Sequence, residues 1–131
     1  MLKMSLAVLA LLSATAPLGA QTAAPRYDLQ VRVLEGDTVL GAPHLVAAAG
    51  EAATMLSDDG HGHGWNVIMT ATPTAAPGRV TVKVNARRWR DAVRQSATTE
   101  LVLDEGKTAT LALPADMGTP QTRIEMNVRG A

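Results

Sequence analysis

Tyr27, Leu29, Val31 and Val33 alternate with Asp28, Gln30 and Arg32, an apolar side chain for each polar one. Successive side chains of an extended chain point to opposite faces, so this period of two predicts a strand with one dry face. The pattern returns three times. Trp65, Val67, Met69 and Ala71 alternate with Asn66, Ile68, Thr70 and Thr72, Ile68 being the apolar intruder on the polar side. Val80, Val82, Val84 and Ala86 alternate with Thr81, Lys83 and Asn85, and Ile124, Met126 and Val128 with Glu125, Asn127 and Arg129. Between these runs lie Glu35-Gly36-Asp37, the glycine-rich Ser57 to Gly64, the two-proline stretch Thr72 to Gly78, and Pro114 to Pro120. Each is turn chemistry that a central strand does not tolerate.

A second pattern is superimposed on the first. Leu45-Val46, three residues, Gly50, two residues, then Ala53-Thr54-Met55 recurs as Leu101-Val102, Gly106 and Ala109-Thr110-Leu111, at a constant offset of 56. Each copy is two short apolar runs folded about a glycine, a hairpin or a tight β-corner, with strands at about 44–48 and 52–57 in the first. The strand at Leu29 likewise recurs at Val82, at an offset of 53. The expected fold is therefore all-β: an antiparallel sandwich or flattened barrel of about eight strands, from two four-strand repeats at 26–72 and 79–129. Arg87 to Ala97 reads as an insert in the second repeat, with room for a short helix over 87–96. The repeats form a single domain over 26–131, because the break at 73–78 is too short for a linker.

The N-terminus follows a different grammar. Met1-Leu2-Lys3 is a short positive segment, Met4 to Leu12 an apolar run, and Leu18-Gly19-Ala20 a small-residue end. This is a secretory signal peptide, helical in its apolar run, with cleavage expected after Ala20. The apolar run is about half the ~20 residues a spanning helix needs, so no transmembrane anchor is expected in the mature form. Gln21 to Pro25 is then a flexible lead, and export to the periplasm is the expected address.

Composition narrows the chemistry. The chain has no cysteine, which excludes disulfides, thiolate catalysis and cysteine-held metals. It has no Phe, and its aromatic residues are Tyr27, Trp65 and Trp89, so the core must rest on Val, Leu, Ala and Met. Tyr27 and Trp65 begin strands in phase with apolar residues and read as core. His44 reads as a surface strand residue. Without Lys3 the 12 basic residues become 11 against 12 acids, a net charge of −1 that gives no general attraction to nucleic acid. The charge is nevertheless polarised. Arg79 to Arg94 holds six basic residues and one acid, whereas Asp28 to Asp59 holds six acids and one Arg.

Two segments carry candidate chemistry. Asp58, Asp59, His61 and His63 are the densest group of metal-ligand types, and neutral imidazoles with a carboxylate suit copper or zinc. Gly60, Gly62 and Gly64 oppose this by making the segment costly to order, and such a composition is also ordinary for an exposed loop tip. Arg87, Arg88, Trp89, Arg90 and Arg94 form the second. A Trp among arginines can stack on a planar or sugar-like group or meet an acidic partner. It can equally cap one end of a sandwich. Catalytic signatures are sparse. Beyond the leader the serines are Ser57 and Ser96, neither in a nucleophile elbow, and no phosphate-cradling loop or His-Glu-x-x-His is present.

From Gly41-Ala42-Pro43 through Gly50 to Met55 the chain resembles a stretch of bacterial envelope proteins: a small residue and Pro, an apolar residue, then Gly-x-x-Ala-x-apolar. The stretch is similar to the pattern in secretins, the outer-membrane channels of secretion and pilus systems. It also resembles β tails of some antirepressor-type membrane sensor peptidases and small uncharacterised exported β-proteins of Gram-negative bacteria. The likeness implies an envelope address and a β-corner, and carries over no functional residue. The expected function is a non-catalytic binding or assembly module of the envelope, contacting an envelope protein or surface. A periplasmic metal-binding protein is the alternative. The edge strands of such a sandwich can also support a homodimer.

Overall fold

The computed structural model describes residues 24–115 and 118–131. The expected leader lies outside the described residues. Among them every regular element is a strand. These are β1 (Arg26–Glu35), β2 (Thr38–Gly41), β3 (His44–Ala48), β4 (Ala52–Asp58), β5 (His63–Pro73), β6 (Arg79–Arg90), β7 (Val93–Asp104), β8 (Thr108–Ala112) and β9 (Thr122–Gly130).

The strands form two antiparallel sheets. In one, β2 and β3 both pair with one side of β1, and β9 and β8 follow on the other. In the second the order is β4-β5-β6-β7. The alternation read from the sequence sets what lies between them. Tyr27, Leu29, Val31 and Val33 of β1 and Ile124, Met126 and Val128 of β9 face Val67, Met69 and Ala71 of β5 and Val80, Val82, Val84 and Ala86 of β6, all buried. Trp65 joins this core, its ring lying against Gly41 at the end of β2, where a Cβ would collide with the indole. His44 is exposed at the start of β3 and bonds the Asp28 carboxylate.

The repeated motif is a corner at both sites. β3 lies in one sheet and β4 in the other, and so do β7 and β8. Gly50 and Gly106 turn these corners at φ of 80° and 83°, a backbone that only glycine adopts cheaply. Their hydrogen bonds correspond. Glu51 N–H donates to the Ala48 carbonyl and Lys107 N–H to that of Asp104, while Gly50 and Gly106 donate to Ala71 on β5 and Val128 on β9.

Two expectations need correction. Among the described residues there are nine strands rather than about eight, because Thr38–Gly41 form β2, with Thr38 opposite Glu35 and Val39 opposite Leu34 across an irregularity after Val33. Arg87 to Ala97 is neither a loop insert nor a helix. β6 continues to Arg90, turns through Asp91 and Ala92, and returns as β7 with unbroken pairing. Asp91 takes the turn at φ of 53°, a left-handed conformation that Asp tolerates better than most residues.

Candidate functional site

The two segments singled out by sequence are neighbours in space, at the end of the molecule where β4, β5, β6 and β7 meet. Arg90 pairs with His63, Trp89 with Gly64 and Arg87 with Asn66. Asp91 N–H donates to the Gly62 carbonyl at 2.9 Å, tying the β6–β7 turn to the glycine-rich loop.

Alternation separates their side chains into two layers. Arg88 follows Val80, Val82, Val84 and Ala86 in phase and therefore enters the space between the sheets, where it is 6 % exposed. Its guanidinium donates to the Gly64 carbonyl at 3.1 Å, to the Trp89 carbonyl, and to Glu35 Oε2 at 3.3 Å. Glu35 is the last residue of β1 and also accepts from Arg90. Beside this pair, Gln95 on β7 accepts from the Thr122 hydroxyl on β9 at 2.7 Å. Glu35 and Thr122 are register partners in one sheet, Arg88 and Gln95 in the other. Four polar residues thus close the end of an otherwise apolar core. A buried ion pair of this kind gains little over an apolar pair, but losing one member is costly.

The outer layer is different. Leu56, Asn66, Arg87 and Ser96 form one row across the sheet, and Asp58, Gly64, Trp89 and Arg94 the next. The half-buried Trp89 lies on Gly64. A Cβ there would fall inside the indole and 2.6 Å from the Ser57 carbonyl oxygen, so glycine is what lets the ring lie flat against the strand. Arg88 holds that same Gly64 from beneath, which fixes the base on which Trp89 rests. A shallow groove of about 430 Å³ runs here, bordered by Leu56, Asn66, Arg87, Trp89, Arg94 and Ser96. Leu56 is 63 % exposed. The Asn66 amide oxygen is buried without a hydrogen-bond partner.

The five members of the arginine-tryptophan segment therefore divide. Arg88 and Arg90 share the single carboxylate of Glu35. Arg87 and Arg94 have no ion-pair partner among the described residues, and Trp89 lies between them, two residues from one and opposite the other. The sequence suggested the segment, but only the strand phase shows which arginines face outward.

Within the Asp58 to Gly64 loop both aspartates accept backbone amides. Asp58 accepts from Gly60 N–H at 2.8 Å, and Asp59 Oδ1 from the amides of His61 and His63 at 2.7 and 3.1 Å. Those amide bonds, with the nearby imidazoles adding to them, hold the Asp59 carboxyl below its ordinary pKa. The His63 ring sits between Asp59 Oδ2 at 3.6 Å and Asp91 Oδ2 at 3.5 Å. Among the described residues no three His, Asp or Glu side chains converge in a metal-holding group. Asp91, absent from the sequence-based set, is the acid the structure brings to His63. Its signal lay in the β6–β7 turn, not in the loop.

No family model, curated protein or solved structure matches the chain. Its function must be argued from this geometry.

Proposed function

We propose that the chain is an exported, non-catalytic binding module of the bacterial envelope, and that the Trp89 groove is its contact face for an anionic partner. The observation that carries this reading is the outward trio of Arg87, Trp89 and Arg94 on a rigid sheet. An arginine pair without internal counter-charge favours carboxylate or phosphate, because the guanidinium fork matches both. The flat indole offers a stacking surface, and Asn66 and Ser96 offer hydrogen bonds at the groove's border. Building such a site on strands rather than on a loop fixes its geometry before the partner arrives.

The internal repeat supports a scaffold role for the rest of the chain. Exchanging β1, β3, β4 and β5 for β6, β7, β8 and β9 converts the order β3-β1-β9-β8 into β7-β6-β5-β4, the order of the other sheet. The 26–72 unit then differs from the 79–129 unit in carrying β2, and the 79–129 unit in the longer β6–β7 hairpin that supplies most of the groove. The metal-binding alternative, copper or zinc on His61 and His63 with Asp58 and Asp59, has weaker support. Asp58 and one oxygen of Asp59 already accept amide bonds within the loop.

Fluorescence titration tests the reading with two defined probes, polyglutamate as an acidic peptide and polygalacturonate as an acidic glycan. Quenching by at least one is expected, weakening with added salt and disappearing in Arg87→Glu/Arg94→Glu but not in Lys107→Glu. A response to neither polymer, or one the double variant leaves unchanged, overturns the anionic contact. Turnover of any substrate by the purified protein would overturn the non-catalytic reading.

A further inference from the structure

The free edges of the two sheets are unequal. β2, β3 and β8 span four or five residues and β4 seven, and short edges offer little template to another chain. β7 runs for 12 residues without Pro or Gly and pairs on one side only, with β6. Its charged residues, Arg94, Glu100 and Asp104, all take the outward phase, so none guards the edge by pointing inward. Ala97, Thr99, Leu101 and Leu103 on the inner phase are only half-buried, and outward Val102 is 63 % exposed. The β8–β9 loop comes near β7 at Pro114 and Ala115, leaving a cleft of about 270 Å³. Among the described residues β7 carries no proline, glycine bulge or inward-pointing charge along its edge, and the loop approaches it only at Val93 to Ser96.

We propose that β7 pairs antiparallel with β7 of a second copy of this chain, joining two four-stranded sheets into one continuous sheet. Phase restricts the register. For both outer faces to remain on the same side, residues of equal phase must meet, so the dyad passes through a residue and not between two. Centring on Glu100 sets two carboxylates opposite each other. Centring on Thr98 puts Arg94 against Val102 and Glu100 against Ser96, matching no charge. Centring on Ala97 matches Arg94 to Glu100 but leaves Val102 and Leu103 uncovered.

The register centred on Thr99 pairs the strand from Arg94 to Asp104 and sets Arg94 of each copy opposite Asp104 of the other. Arg94 has no ion-pair partner of its own among the described residues. Asp104 binds Arg79 through Oδ1 at 2.9 Å, and its other oxygen is in none of the ion pairs among those residues. Leu101 then meets Ala97, and Val102 meets Ser96. This self-complementarity is the reason to assign the edge to a second copy. The pairing does not rest on the groove reading, and in the dimer Arg94 faces Asp104 of the other copy, leaving Arg87 as the cation of each groove without an ion-pair partner among the described residues. One consequence is that the two Trp89 grooves lie on the same face of the joined sheet, so a polyanionic surface would meet both at once.

The absence of native cysteine makes a direct test available. Residues at an antiparallel dyad have Cα atoms about 4.5–5.5 Å apart, a span a disulfide bridges. Full-length Thr99→Cys is expected to form a covalent dimer under mild oxidation. Val102→Cys, roughly 20 Å from its mate in this register, is expected not to. In the chain without cysteine, Arg94→Asp should raise the dimer dissociation constant about tenfold in sedimentation equilibrium. A monomeric mass for the unsubstituted chain at every concentration overturns the dimer. Crosslinking at Val102 in preference to Thr99 overturns the register, and an unchanged constant in Arg94→Asp overturns the charge pairing. Should Thr99→Cys fail to fold, as read by near-ultraviolet circular dichroism, the sedimentation series decides.

Discussion

Arg88 is in phase with four core residues, and only its surroundings make that position tenable. Its charge is matched by Glu35, which arrives from the opposite sheet, and its Nη1 donates to two carbonyls, while its Nε–H is buried without a partner. Glu35→Gln leaves the guanidinium desolvated without a counter-charge. We expect a loss of about 2–4 kcal/mol in urea unfolding, somewhat below a fully buried pair because the Glu35 side chain is 15 % exposed. Adding Arg88→Met should restore much of it, since an apolar side chain there extends the core row. Tyr27 offers a second residue-scale measurement, since it is the chain's single tyrosine. Burial, with the negative charge of Glu105 adding to it, raises its phenol above the ordinary 10.0. The folded protein then keeps a proton that the unfolded chain releases, so the contribution to stability is complete below about pH 10 and is lost as pH rises through the folded pKa. Phenolate absorbance should titrate later in the native protein than after unfolding, and Tyr27→Phe should flatten the alkaline fall in stability.

At the scale of elements, the period-two pattern located β1, β5, β9 and the first part of β6, because each has one face in the core and one in water. The corner strands β3 and β4 were equally legible, since Gly50 separates two apolar runs. β2 was missed because four residues carry too little periodicity. The far half of the β6–β7 hairpin was missed for a different reason: Arg88 and Gln95 occupy the inner phase, so the sequence there looks polar throughout. The residues that justify them, Glu35 and Thr122, lie on other strands. A local pattern cannot contain that match. The same gap hid the site, since the split of the arginines into buried Arg88 with half-buried Arg90 on the inner phase, and Arg87 with Arg94 on the outer, follows from strand phase. The hairpin also explains Gly64. Gly64→Ala would push Trp89 off its seat and strain the bond row at Ser57, and we expect a loss of about 1–3 kcal/mol with altered Trp89 emission. Gly60→Ala is the contrast. Its φ of 75° strains a side chain, but a Cβ meets nothing within 4 Å, so stability should fall less and the emission should not change.

At the scale of the molecule, neither half of the chain owns a sheet. β1 is paired with β9 from Tyr27 to Glu35, and β5 with β6 from His63 to Pro73, so both central seams run between the first half and the second. Isolated, residues up to the 74–78 turn would retain only the pairings of β1 with β2 and β3 and of β4 with β5. Each would be a two- or three-strand fragment with an unpaired central edge, too small to be stable alone. Cutting the chain between Ala75 and Ala76, in the exposed turn after β5, should therefore give two fragments that are each unfolded. Mixed, they should regain a cooperative thermal transition with the circular dichroism of the intact chain. The closing entropy of so short a connection is small beside two complete seams, so its loss should lower the midpoint and make it concentration-dependent without abolishing it. A fragment that folds by itself would mean that a half can complete its own core, as a domain does. Failure of the mixture to fold would mean that the turn itself, with Gly78 at a φ of 77°, is needed to start the β5–β6 seam.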